Sequence, residues 1–82
     1  MHLSVRLFAT LKDRAAASQV DVYLPEKAPT VGDLLSHLGQ EMPVLQSSLG
    51  TAIVAVNQEF SFSDQLLYEH DDIVLFPPVS GG

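Results

Sequence analysis

The first seven residues after the initiator alternate strictly. In His2-Leu3-Ser4-Val5-Arg6-Leu7-Phe8 the apolar Leu3, Val5 and Leu7 share one face. A period of two predicts a strand with one buried side. Phe8 departs from the pattern, because it falls on the polar face with His2, Ser4 and Arg6. Thr10 to Ala17 is rich in Ala, Leu, Lys and Arg, which predicts a short helical segment with Thr10 as its cap. Val20-Asp21-Val22-Tyr23-Leu24 alternates again and pairs with the first strand as a loose hairpin around that segment. Pro25 ends it.

Pro29-Thr30 opens the clearest helix. Thr30 is a good N-cap, and Asp33 follows three residues later at the positive end of the helix dipole. Val31, Leu34, Leu35 and Leu38 fall at i, i+3, i+4 and i+7, a single apolar stripe. Gly39 is placed to close the helix. Gln40 to Gly50 reads as irregular around Pro43, with Leu45 and Leu49 tucked under. Thr51-Ala52-Ile53-Val54-Ala55-Val56 is a continuous apolar run, as in a strand buried on both faces or covered by a partner. Asn57-Gln58-Glu59 turns the chain, Phe60 begins a short extended piece, and Ser61 to Leu67 is a loop. Tyr68-Glu69-His70-Asp71-Asp72 is a charged turn into the last strand, Ile73-Val74-Leu75-Phe76. Pro77 and Pro78 then stop the ladder, because neither has an N–H to give to it.

Beyond the prolines lie Val79, Ser80, Gly81 and Gly82, a stretch with too little bulk to pack. Extended, the six residues from Pro77 reach on the order of 20 Å at about 3.3–3.6 Å each. Glycine passes through channels that exclude side chains. A frayed end or a cloning scar is the plain alternative. The preceding strand and Pro-Pro stop favour a functional tail that presents its terminal carboxylate. The division expected is a domain over 1–76 and a tail over 77–82.

Composition narrows the chemistry. Eighty-two residues make one domain, able to bury roughly 60% of its unfolded surface. The absence of cysteine excludes disulfides, thiolate metal sites and a cysteine nucleophile. The net charge is −6, with only Arg6, Lys12, Arg14 and Lys27 positive. That argues against nucleic acid, which needs a basic patch, and against an anionic membrane; a basic protein partner is compatible. The aliphatic run Ala52 to Val56 is far too short to span a bilayer. The N-terminus lacks the pattern of a signal peptide, so a cytoplasmic location is expected. Glu69-His70-Asp71-Asp72 is a contiguous turn whose residues do not converge as metal ligands. His2 and His37 have no partners nearby in sequence and read as surface groups. No glycine-rich phosphate loop is present, so no cofactor is expected on this chain.

The order β, β, α, β, short β, β is that of the α+β class β-grasp (ubiquitin-like) arrangement. It comprises a mixed sheet with one main helix and short helical segments, and its first and last strands run parallel side by side. In that arrangement Phe8 and Phe76 emerge together on the face opposite Leu3, Val5, Leu7, Ile73 and Leu75, with Phe60 beside them.

Ala55-Val56-Asn57-Gln58-Glu59, followed by Leu75-Phe76-Pro77-Pro78-Val79-Ser80-Gly81-Gly82, closely resembles the small subunit of molybdopterin synthase, the MoaD family. Leu7-Phe8-Ala9-Thr10-Leu11-Lys12 resembles that family's first strand and the start of its helix. The resemblance runs the whole length, with the tail its most specific part. One departure is His70, where the family usually carries Gly; His tolerates the left-handed conformation better than most residues.

The resemblance implies a sulfur carrier, a non-catalytic donor subunit within a heterotetrameric enzyme of molybdenum cofactor biosynthesis. An adenylyltransferase of the E1-like type, using ATP, activates the carboxylate of Gly82. Sulfur then replaces an oxygen to give a thiocarboxylate, which the large synthase subunit receives and passes to a pterin precursor. Gly82 carries the reacting group and Gly81 keeps the approach open. Phe8, Phe60, Phe76, Pro77, Pro78, Val79 and Ser80 would meet partners. A thiamine-pathway sulfur carrier, a ubiquitin-like modifier of lysines and a plain interaction module are the alternatives.

Overall fold

A computed structural model describes residues 1–78. Its strands are β1 (His2–Leu7), β2 (Gln19–Tyr23), β3 (Ile53–Val56), β4 (Glu59–Phe60) and β5 (Ile73–Phe76). They form one mixed sheet in the order β2-β1-β5-β3-β4, with β1 and β5 parallel at its centre and the remaining pairs antiparallel. The alternation in β1 is realised strictly: Leu3, Val5 and Leu7 are buried and the residues between them are exposed. The helices are α1 (Ala9–Ala15), α2 (Val31–Glu41) and α3 (Gln46–Leu49), with a 3₁₀ turn at Pro43–Leu45. This is the β-grasp architecture expected from the element order.

Helix α2 supplies Val31, Leu34 and Leu38 to a core shared with Leu3, Val5, Leu7, Val54, Val56, Ile73 and Leu75. It starts on a complete capping box. The Thr30 hydroxyl accepts from the Asp33 N–H at 3.2 Å, and the Asp33 carboxylate accepts from the Thr30 N–H at 2.9 Å. Leu45 and Leu49 are buried beneath it, as their place in the sequence suggested, but the segment carrying them is helical rather than irregular. Among the described residues no helix is long and apolar enough to cross a membrane.

Three local expectations are corrected. Thr10 does not cap α1. The chain leaves β1 through Ala9 at φ 53, and the Phe8 carbonyl accepts from Leu11 N–H and Lys12 N–H, so the helix begins straight off the strand with Thr10 inside it. Gly39 does not end α2 either. It is buried within the helix, where an added Cβ would lie 3.4 Å from Leu49 Cδ1, so its absence of side chain lets α3 press close. The helix ends at Met42 (φ −127, ψ 78), outside the helical region, which a following proline disfavours. His37 is half-buried and not a lone surface group, since its Nε2 lies 3.0 Å from Glu26 Oε1.

Candidate docking surface at the root of the tail

Strand register places the aromatic residues. Arg6 pairs with Val74 and Leu7 with Leu75, and the Phe8 N–H donates to the Leu75 carbonyl at 3.1 Å, carrying the parallel ladder one step further. Side chains alternate across a sheet, so Phe8 and Phe76 share the face opposite the core. Their ring centroids stand 5.2 Å apart, tilted by 48°, within the range of favourable aromatic pairs. Ile53 is the partner of Phe76 in the next strand, and Ala55 pairs with Phe60 in β4. The same face therefore runs from β1 across β5 and β3 to β4.

These residues wall an open cavity of about 400 Å³, lined by Phe8, Ala9, Ile53, Phe60, Phe76, Pro77 and Pro78. None of them is ionisable. Phe60 is 81% exposed and Phe8 40%, which is a large apolar area to leave in water and a mark of an interaction site. Pro77 and Pro78, the first residues of the tail, form part of the wall. The structure thus brings together Phe8, Phe60, Phe76, Pro77 and Pro78, all five partner-facing residues inferred from sequence that it describes. Val79, Ser80, Gly81 and Gly82 lie outside the described residues. Ile53 and Ala9 were not foreseen as lining. Ile53 belongs to the apolar run read as buried on both faces or covered by a partner; Val54, Ala55 and Val56 are buried, and Ile53 is half-exposed at the cavity.

The turns that set this face are held by side chains and by strained backbone. Asn57 and Gln58 both have positive φ, 53° and 71°, as a two-residue hairpin turn between β3 and β4 requires. Asn57 Nδ2 donates to Asp71 Oδ1 at 3.0 Å, and Asn57 Oδ1 accepts from the Asp72 N–H at 2.9 Å. Both carboxylate oxygens of Asp72 accept from one nitrogen of Arg6, Nη2, each at 2.8 Å. His70 takes φ 70, the left-handed conformation anticipated for it. Glu69, His70, Asp71 and Asp72 are engaged as a turn, and among the described residues no three His, Asp or Glu side chains could hold a metal together.

The ThiS family model matches residues 5–82. The molybdopterin synthase sulfur carrier subunit of Dictyostelium discoideum is 34% identical over 80 residues, covering 95% of this chain and 93% of that protein. The subunit of the same name from Chlamydomonas reinhardtii is 31% identical, with both chains covered in full. Among solved structures, small archaeal modifier protein 1 of Haloferax volcanii superposes with a TM-score of 0.85 at 30% identity, covering 95% of this chain and 98% of that one. A complex of subunits 1 and 2 of the molybdopterin-converting factor from Helicobacter pylori contains a chain with a TM-score of 0.70 at 28% identity, covering all of both chains. A β-grasp chain with an apolar face beside Pro77 and Pro78, matched over nearly its whole length, it belongs to the ThiS family.

Proposed function

We propose that this chain is the sulfur carrier subunit of a molybdopterin synthase, delivering sulfur from a thiocarboxylate on Gly82. The observation that carries the reading is the cavity walled jointly by Phe8, Phe60 and Phe76 and by Pro77 and Pro78. A partner seated on these rings necessarily lies where the tail departs. The relatives named as molybdopterin synthase sulfur carrier subunits support it, as does the likeness to a chain solved within a two-subunit molybdopterin-converting factor.

The chemistry divides between this chain and its partners. A carboxylate at neutral pH is a poor electrophile. The Gly82 carboxylate attacks the α-phosphorus of ATP held by an E1-like adenylyltransferase, pyrophosphate leaves, and an acyl adenylate forms. Sulfur at the sulfide level (HS⁻), supplied by a sulfurtransferase, then attacks the acyl carbon, the bond to AMP breaks, a proton is released, and the thiocarboxylate remains. Having no thiol of its own, this chain does not capture the acyl group itself. The loaded tail, running from Pro77 to Gly82, enters the active site of the large subunit, where the sulfur passes to a pterin precursor. The rings of Phe8, Phe60 and Phe76 anchor that subunit, and two copies of each chain make a cytoplasmic heterotetramer. This chain donates the sulfur and holds no cofactor.

A second reading is a ubiquitin-like modifier that joins its tail to lysines, favoured by the close superposition on a small archaeal modifier protein. Intact mass after incubation with the adenylating enzyme, ATP and a sulfur donor separates them. A sulfur-for-oxygen gain, lost when the large subunit and pterin precursor are added, supports the carrier. An isopeptide adduct without that gain supports the modifier.

A further inference from the structure

Phe60 belongs to two concavities. Besides the cavity at the root of the tail, a groove of about 320 Å³ is lined by Asn57, Glu59, Phe60, Leu66, Tyr68 and Asp71, among others. Two of its apolar members are open to solvent: Tyr68 is 60% exposed and Leu66 42%. Its charge has one sign. Its ionisable lining residues are the carboxylates Glu59 and Asp71, and no lysine or arginine follows Lys27 in the sequence. Arg6, the cation tied to the neighbouring Asp72, is already committed in that pair. The Asp71 carboxylate accepts from Asn57 Nδ2 and from the Tyr68 N–H, bonds that fix its direction without cancelling its charge.

The groove is also preformed. Its outer wall is fastened to the start of α2 by backbone bonds from Val31 N–H to Gln65 O (2.9 Å), Gly32 N–H to Ser63 O (2.9 Å) and Leu67 N–H to Pro29 O (2.8 Å). Gly32 permits this approach, since a Cβ there would meet Ser63 O at 3.3 Å. A wall held in this way loses little conformational freedom when a partner docks.

We propose that the groove seats a lysine- or arginine-bearing segment of the large synthase subunit, extending the contact made at Phe8 and Phe76; the inference rests on the carrier reading above. Continuity argues for the same partner, because Phe60 lines both concavities and belongs to the edge strand β4 that lies between them. Charge and shape argue for the side chain. A long basic residue lays its apolar stem along Leu66 and Tyr68 and brings its head to Glu59 and Asp71. Arginine in addition stacks on aromatic faces. Carboxylates at this density repel an acidic segment, so the groove sets orientation and association rate while the apolar cavity supplies affinity.

The test is binding of the full chain to its large subunit, by calorimetry and stopped flow at low and moderate salt. Glu59→Lys is expected to weaken binding roughly tenfold at low salt, mainly through slower association, and to flatten the salt dependence. Glu59→Gln, which keeps the shape, follows in smaller measure. If both variants bind like the parent while Phe76→Arg does not bind, the groove inference is overturned and the docking role of the apolar cavity stands. If the parent itself fails to bind the large subunit, the carrier reading falls and the inference with it.

Discussion

Phe8 and Phe76 lie side by side on two parallel strands, their ring centroids 5.2 Å apart, on the face of the sheet turned away from the core. Neither strand alone accounts for an aromatic residue at that parity. Together with Ile53 and Phe60 they make a single apolar surface, to which Pro77 and Pro78 also belong. On the proposed function this arrangement couples recognition to delivery, since a partner bound to the rings also meets Pro77 and Pro78.

Phe76→Arg tests that coupling. Phe76 is half-exposed and outside the core cluster, so the variant is expected to melt within a few degrees of the parent. Its affinity for the large subunit should fall at least a hundredfold, because a charge would be buried without a partner. Calorimetric titration beside a thermal melt measures both. Unchanged binding, or a collapsed melting temperature, would assign Phe76 to a different role.

Stability is expected to reside on the other face. Leu34 and Val5 are fully buried, one from α2 and one from β1. Leu34→Ala should cost about 2–4 kcal/mol through lost burial and the cavity left behind, and Val5→Ala about 1–3 kcal/mol, since it removes fewer atoms. Chemical denaturation reads these values, and a loss below 1 kcal/mol at Leu34 would contradict the packing described.

What the sequence revealed and what it hid divide along physical lines. The burial of Leu3, Val5 and Leu7 and the capping of α2 by Thr30 and Asp33 depend on neighbours within a few residues, and both were legible. So was the pairing of Phe8 with Phe76, because strand alternation and a parallel β1–β5 neighbour suffice to put both on the outer face. The place of Gly39 was not, since it depends on Leu49 arriving from α3. The Glu26–His37 contact likewise joins a loop to a helix. The groove beside Phe60 escaped for the same reason: Leu66 and Tyr68 sit in a segment without periodicity, positioned by its bonds to Pro29, Val31 and Gly32.

His70 supplies a test of backbone strain. It holds φ 70, a conformation that costs an L residue roughly 1–2 kcal/mol and glycine almost nothing. Glycine's greater freedom in the unfolded chain offsets part of the gain. His70→Gly is therefore expected to stabilise the domain by about 0.5–1 kcal/mol, seen as a higher denaturation midpoint with unchanged slope. Destabilisation would mean that the imidazole contributes more than the turn geometry suggests.

The tail carries the most decisive prediction, because its residues are expected to matter for position and not for stability. Removing Gly82 would set the reacting carbonyl about 3.5 Å short of the partner's catalytic groups, and a misplacement of ~1 Å can already cost ~100-fold in rate. One residue added after Gly82 would move the carboxylate to a different residue, and Gly81→Val would fill a channel shaped for bare backbone. All three variants leave the core and the Phe8–Phe76 surface untouched. They are expected to melt like the parent and still bind the large subunit, yet fail either to accept sulfur from the adenylating system or to deliver it. Mass spectrometry for the thiocarboxylate and single-turnover formation of the pterin dithiolene separate loading from delivery. A Gly82 deletion that loads sulfur and turns over at the parent rate would rule out the carrier function and leave the apolar face as the docking site of an unprocessed interaction domain.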